Sequence, residues 1–154
     1  MDRVKADVPD AIFVSDQSSV SGARDLTKHN LYDDYGVIFS GVHKNFGTSG
    51  LSFAIVRDDV IDRVKSYEKH SKIPVPKLFD WVSYADQKGA NFVNTPSLVA
   101  TYITEATCKH FNATGGIEYY ESLALSKSDV IYKALDESKL FECKIVPELR
   151  SSQN

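Results

Sequence analysis

The chain has 154 residues, 42% of them hydrophobic, and 18 Lys and Arg against 21 Asp and Glu give a formal net charge of −3. That length suits one ordinary domain, and basic residues scattered along an acidic chain offer no counterion-releasing patch for nucleic acid. No apolar run reaches membrane-spanning length and Asp2-Arg3-Val4-Lys5-Ala6-Asp7 is of mixed charge, so neither a membrane nor a signal segment is expected and the cytoplasm is the default location.

The first predicted element is a strand, Ala11-Ile12-Phe13-Val14, leading through Ser15 to Asp16. A strand ending in an acid places the carboxylate at the carboxyl edge of a sheet, where open α/β proteins bind their ligands. Two further runs, Gly36-Val37-Ile38-Phe39 and Leu51-Ser52-Phe53-Ala54-Ile55-Val56, are β-branched and aromatic enough to be buried strands. The loop between them carries glycines at 41, 47 and 50 and presents Lys44. It contains no Gly-Lys-Ser/Thr and no Gly-x-Gly-x-x-Gly, which argues against a nucleotide loop.

Asp58 is placed to cap a helix over 59–67, with Val60, Ile61, Val64 and Tyr67 on the face turned to the sheet. Prolines 74 and 76 and a polar stretch make 71–89 a loop region, placed near a subunit boundary. Pro96 suits the first position of a helix running to about Asn112, with Asn94 and Thr95 just ahead of its N-terminus. Gly115-Gly116 ends that helix, and a second spans 117–138 with Tyr120, Ala124, Ile131 and Leu135 in one stripe. Residues 141–146 alternate weakly and read as a strand that Pro147 interrupts. Cys108 and Cys143 show no pairing motif, and His29, His70 and His110 show no metal-ligand spacing, so no metal is expected.

Taken alone, Lys44 fits an exposed lysine of a glycine-bearing turn, Asp16 a turn cap with Ser18 and Ser19, and Asn94-Thr95-Pro96 a helix start. If Asp16 and Lys44 face one pocket, however, the amine can hold an aromatic aldehyde while the acid pairs with a protonated ring nitrogen. Those are the two protein contacts that pyridoxal phosphate most needs. A nearby anion favours the protonated ring nitrogen, whereas the amine must be neutral to attack.

The segments Val14-Ser15-Asp16-Gln17-Ser18-Ser19, Tyr35 to Asn45, Ile55-Val56-Arg57-Asp58-Asp59, Asn94-Thr95-Pro96, Thr114 to Glu118 and Arg150 to Asn154 occur in the order seen in the phosphoserine aminotransferases. The chain resembles that class V, fold-type I pyridoxal phosphate family over nearly its whole length. The resemblance implies an α/β fold, with 1–145 part of a cofactor-binding large domain whose mainly parallel sheet is incomplete here, and 146–154 the start of a small C-terminal domain. It implies that Lys44 bonds the cofactor, that Asp16 binds the pyridine nitrogen, and that Asn94 and Thr95 reach the cofactor phosphate of the neighbouring subunit in a homodimer. His43 stands where the family usually has a glutamine on the phosphate, an imidazole being able to donate a hydrogen bond there. Val20 replaces a usual acid, and Thr48-Ser49 replace Pro-Ala. The expected reaction is amino transfer from L-glutamate to 3-phosphohydroxypyruvate, giving O-phospho-L-serine and 2-oxoglutarate. The family's substrate-gripping arginines fall outside these 154 residues, so the chain reads as the middle of a longer enzyme. Two other readings are a catalytically incompetent folding or dimerisation module, and a class V enzyme with another substrate.

Overall fold

The computed structural model describes residues 2–29, 31–85 and 94–153. In chain order these form helix α1 (Asp2–Asp7), strand β1 (Val14–Asp16), a 3-10 turn (Leu26–His29), α2 (Leu31–Asp34), β2 (Val37–Gly41), β3 (Ser52–Val56) and α3 (Asp58–His70). A second 3-10 turn (Lys77–Phe79), α4 (Trp81–Ala85), α5 (Leu98–Ala113), α6 (Gly116–Asp136) and a last 3-10 turn (Pro147–Leu149) follow.

The strands lie in the order β1-β2-β3. β1 runs parallel to β2, with Val14 opposite Val37 and Asp16 opposite Phe39, whereas β2 and β3 are antiparallel, with Val37 opposite Val56 and Gly41 opposite Ser52. The fold is therefore α/β, and the described part of the sheet is mixed. The connections explain this, since β2 and β3 are joined by a hairpin loop while β1 reaches β2 by a crossover long enough for a parallel return.

β2 holds the core because it is the central strand. Val37, Ile38 and Ser40 are buried and Val42 just beyond is 1% exposed, while Phe39, on the same face as Val37, is 37% exposed. Helix α3 buries Val60 and Ile61, Val60 packing beside Gly36 at the start of β2. The strand enters that contact through Gly36, where a Cβ would lie 2.8 Å from both Ile12 Cγ2 and Val60 Cγ2, so only glycine permits the approach. Ile38, 3% exposed at the middle of the sheet, is the side chain whose truncation costs most. Ile38→Ala is expected to lower unfolding stability by about 2–5 kcal/mol, read from the urea midpoint; a change under about 0.5 kcal/mol, as for a surface site, would contradict this core assignment.

Several boundaries differ from those expected. β3 is not buried, since Phe53 and Ile55 are 40% and 44% exposed and the strand pairs on one side only among the described residues. Helix α3 starts at Asp58 itself, with Arg57 in the cap position making no side-chain cap bond, and continues to His70. Asp58 therefore does not cap; Arg57 instead grips Asp59 through two bonds of 2.5 and 2.8 Å. The 71–89 region holds a 3-10 turn and the short α4, entered where Asp80 accepts the Ser83 amide at 2.9 Å, and its last residues, 86–89, lie outside the described ones. Helix α5 begins at Leu98 rather than Pro96, because the Ser97 hydroxyl takes the N-cap role and accepts from the Ala100 amide at 3.4 Å.

The hairpin of α5 and α6 turns through Gly115 and Gly116, at φ 112° and 63°, and stacked rings of Phe111 and Tyr120 at 3.9 Å close it. Residues 141–146 form no strand. Such a short segment needs a paired neighbour, and none is present among the described residues. The segment is instead tied to α6, where Arg150 makes two 2.6 Å bonds to Asp136 and lies 4.8 Å over the Tyr132 ring.

Candidate active site

Because β1 and β2 are parallel, Asp16 and Gly41 end them at the same edge of the sheet. The Gln17 amide donates to the Phe39 carbonyl at 2.8 Å, carrying the ladder one residue past the acid. There the chain turns. Asp16 Oδ1 accepts the Ser18 amide at 2.9 Å, and Ser18 Oγ accepts the Gly41 amide at 3.0 Å, so the turn bearing the acid is joined to the end of β2.

Val42 is buried and anchors the next turn, whose Phe46 amide donates to the Val42 carbonyl at 3.2 Å. With Val42 inward, His43, Lys44 and Asn45 are exposed on the same edge as Asp16. Lys44 Nζ donates to Ser19 Oγ at 2.5 Å, and Asn45 Nδ2 donates to the carbonyls of Ser19 and Ser21 at 3.2 and 2.8 Å. Behind them Phe46 meets Phe53 edge-on at 6.3 Å and Phe111 at 6.2 Å, linking the lysine turn to β3 and α5. Gly22, at φ +81°, accommodates the Phe46 ring, 2.9 Å from where a Cβ would stand.

The electrostatics follow from this geometry. The Ser18 hydroxyl, then the Ser18 amide, hold the Asp16 carboxyl below its usual value against a smaller opposing desolvation, and the charges of Lys44 and His43 add to the lowering. Asp16 is thus an anion at neutral pH. The His43 ring lies against Gly41, where a Cβ would be 2.5 Å from its Cε1.

The structure brings together Asp16, His43 and Lys44 but not Asn94 or Thr95. Asn94 donates to the Tyr84 hydroxyl at 3.3 Å, and both residues are exposed ahead of the Ser97 cap rather than at the first turn of α5. Among the described residues one half-open depression of about 540 Å3 lies between α6, Asn45 and 151–153, and another of about 830 Å3 between the open sheet face and α4; Asp16 and Lys44 line neither and are both exposed. The acid and the amine therefore stand on an open rim. That donor set fits pyridoxal phosphate: an acid kept ionised for the ring nitrogen, an exposed amine held by a hydroxyl, and an imidazole beside them for an anionic oxygen.

Sequence reasoning missed the parts that set this geometry, namely Ser19 as the partner of Lys44, Asn45 as the link between turns, and Phe46 as the backing. The adjacency of Asn45 to Lys44 and the paired serines after Asp16 were the available signals, but which hydroxyl meets which amine depends on strand order.

Residues 2–153 match the family Aminotransferase class-V. A phosphoserine aminotransferase of Haemophilus influenzae is 32% identical over 154 residues, an alignment covering 96% of this chain and 38% of that protein. Among solved structures, a pyridoxal phosphate-bound phosphoserine aminotransferase from Trichomonas vaginalis superimposes with a TM-score of 0.73 at 28% identity, over 93% of this chain and 36% of the other. One from Cytophaga hutchinsonii gives 0.77 at 18% identity, over 97% and 41%, a likeness of fold alone. The chain spans 38% of the length of the curated relatives it matches.

Proposed function

The chain belongs to the class-V aminotransferase family, and from that premise we propose that it carries the cofactor-holding centre of a phosphoserine aminotransferase. The observation that supports this most is the shared edge that carries both Lys44, held by Ser19 at 2.5 Å, and the ionised Asp16. Pyridoxal phosphate, when bound, supplies an electron sink for the α-carbon of the amino acid. Lys44 Nζ would hold it at rest and, once displaced by the incoming amino acid, carry the proton to and from the substrate α-carbon. The Asp16 carboxylate would pair with its ring nitrogen and favour the cationic form, and His43 would donate toward its phosphate. L-Glutamate is the amino donor and 3-phosphohydroxypyruvate the acceptor in this reading, giving 2-oxoglutarate and O-phospho-L-serine.

Asn94 and Thr95, both exposed, are assigned to the cofactor phosphate of a second subunit in a homodimer. Residues 1–145 are taken as part of the large domain and 146–154 as the start of the small one. Among the described residues no helix is long and apolar enough to cross a membrane, and we place the protein in the cytoplasm.

The test supplies the protein with pyridoxal phosphate, isotope-labelled glutamate and 3-phosphohydroxypyruvate and follows label by mass spectrometry. Label is expected in O-phosphoserine. Transfer in a parallel mixture that holds another keto acid, with none to 3-phosphohydroxypyruvate, would favour a class V relative of other specificity. Bound cofactor with no transfer would favour the second reading, a folding or dimerisation module, which draws support from the exposure of both Asp16 and Lys44.

A further inference from the structure

Asp16 and Lys44 lie on separate turns, and nothing in the backbone of either fixes their separation. The acid's turn is bound to the end of β2 by Ser18. The lysine's turn begins from the same strand end at Val42 but then runs outward, and Lys44 has four rotatable bonds beyond its Cα. Its bond to Ser19 Oγ joins two flexible groups and is broken whenever the amine turns toward a ligand. Besides the packing of the Phe46 ring against Gly22, a polar contact joins the turns, made by a side chain with no charge to spend on chemistry: Asn45 Nδ2 donates to the Ser19 carbonyl at 3.2 Å and to the Ser21 carbonyl at 2.8 Å. Both acceptors are backbone, and Ser21 is 3% exposed, so the amide is fastened to the firm part of the acid's turn. Both amide protons have carbonyl acceptors, an arrangement that a carboxylate of the same shape cannot make, having no proton to donate.

We infer that Asn45 is a positioning residue that clasps the lysine turn to the aspartate turn and so fixes the separation of Asp16 and Lys44 before, and independently of, any cofactor. The inference rests on the reading that Asp16 and Lys44 form one site. It goes beyond that reading by naming what holds the two groups in register while Lys44 releases Ser19. Phe46, backed by Phe53 and Phe111, supports the far end of the same turn, so loss of the clasp is expected to loosen residues 43–45 and leave the sheet and the α5–α6 hairpin intact.

The test measures the electrostatic coupling of the two groups in the cofactor-free chain. The Asp16 midpoint is followed by carboxyl NMR in the parent and in Lys44→Gln, then again in an Asn45→Asp and an Asn45→Ala background. In the parent background Lys44→Gln is expected to raise the Asp16 midpoint by a few tenths of a pH unit, the scale of an exposed charge pair. In both Asn45 backgrounds that rise should fall by at least half, and Asn45→Asp should fare no better than Asn45→Ala although its shape is closer to Asn. An equal rise in all backgrounds would overturn the role of Asn45 while leaving the pairing of Asp16 and Lys44 in place. No rise in the parent would overturn the pairing and the clasp together. Should the Asn45 variants fail to fold, the parent decides: the Asn45 side-chain amide protons should exchange with solvent at least several-fold more slowly than those of the exposed Asn112, and equal rates would overturn the inference.

Discussion

Lys44→Ala is expected to abolish retention of pyridoxal phosphate through gel filtration, with the near-visible absorbance of the bound cofactor falling to background. Four other lysines are committed to carboxylates. Lys5 pairs with Asp34, Lys28 with Glu121, Lys109 with Glu105 and Lys144 with Glu142, each within 2.9 Å of a carboxylate. Glu121, for one, holds Lys28 more firmly protonated than usual, which suits a structural ion pair and not an amine that must be neutral to attack. Lys44 instead contacts a hydroxyl, the Ser19 Oγ at 2.5 Å, which can donate as well as accept a hydrogen bond. The effect of removing it is all or none because a covalent anchor has no partial substitute. Undiminished, stoichiometric cofactor on Lys44→Ala would move the anchor to another lysine.

Asp16→Asn is the second large effect. The replacement keeps an oxygen for the Ser18 amide, so the turn survives while the anion is lost. Cofactor affinity is expected to fall about ten- to a hundredfold, the worth of one charge-assisted hydrogen bond, and turnover in a transamination assay by about 10²–10³, as when a preorganised electrostatic partner is deleted. The pH dependence has a definite sign. The folded carboxyl titrates below its usual 3.8, chiefly because Ser18 bonds to the ionised form. Its contribution to stability is therefore fully present above the unfolded value and is lost as pH falls through the lower folded value. The urea midpoints of parent and variant should differ at neutral pH and converge in strong acid; a difference that persists there would show that Asp16 acts by something other than its charge.

The site's chemistry was more legible in the sequence than its geometry. Asp16 at a strand end and Lys44 in a glycine-bearing loop could be read directly, because strand periodicity and turn residues are local signals. That the two share an edge depends on β1 and β2 being parallel neighbours, which no local pattern encodes. The helical hairpin was also readable, Gly115-Gly116 marking its turn, whereas the start of α5 was displaced by two residues because a serine hydroxyl at position 97 outcompeted the fixed φ of Pro96. The expected strand at 141–146 had the right composition and no neighbour to pair with among the described residues, and the burial expected of β3 likewise needs surface on its open side. Both failures concern long-range partners. Asn94 and Thr95 illustrate the same point, since a role toward another subunit's phosphate cannot be judged from contacts within one chain.

The most direct measurement is the position of the label after pyridoxal phosphate is added to the chain, fixed with borohydride and located by peptide mass spectrometry. A reduced pyridoxyl group on Lys44, near stoichiometric and displaced by neither salt nor dialysis, is the expected result. Label spread evenly over exposed lysines, or concentrated on one far from Asp16, would contradict a centre built from Lys44 and Asp16.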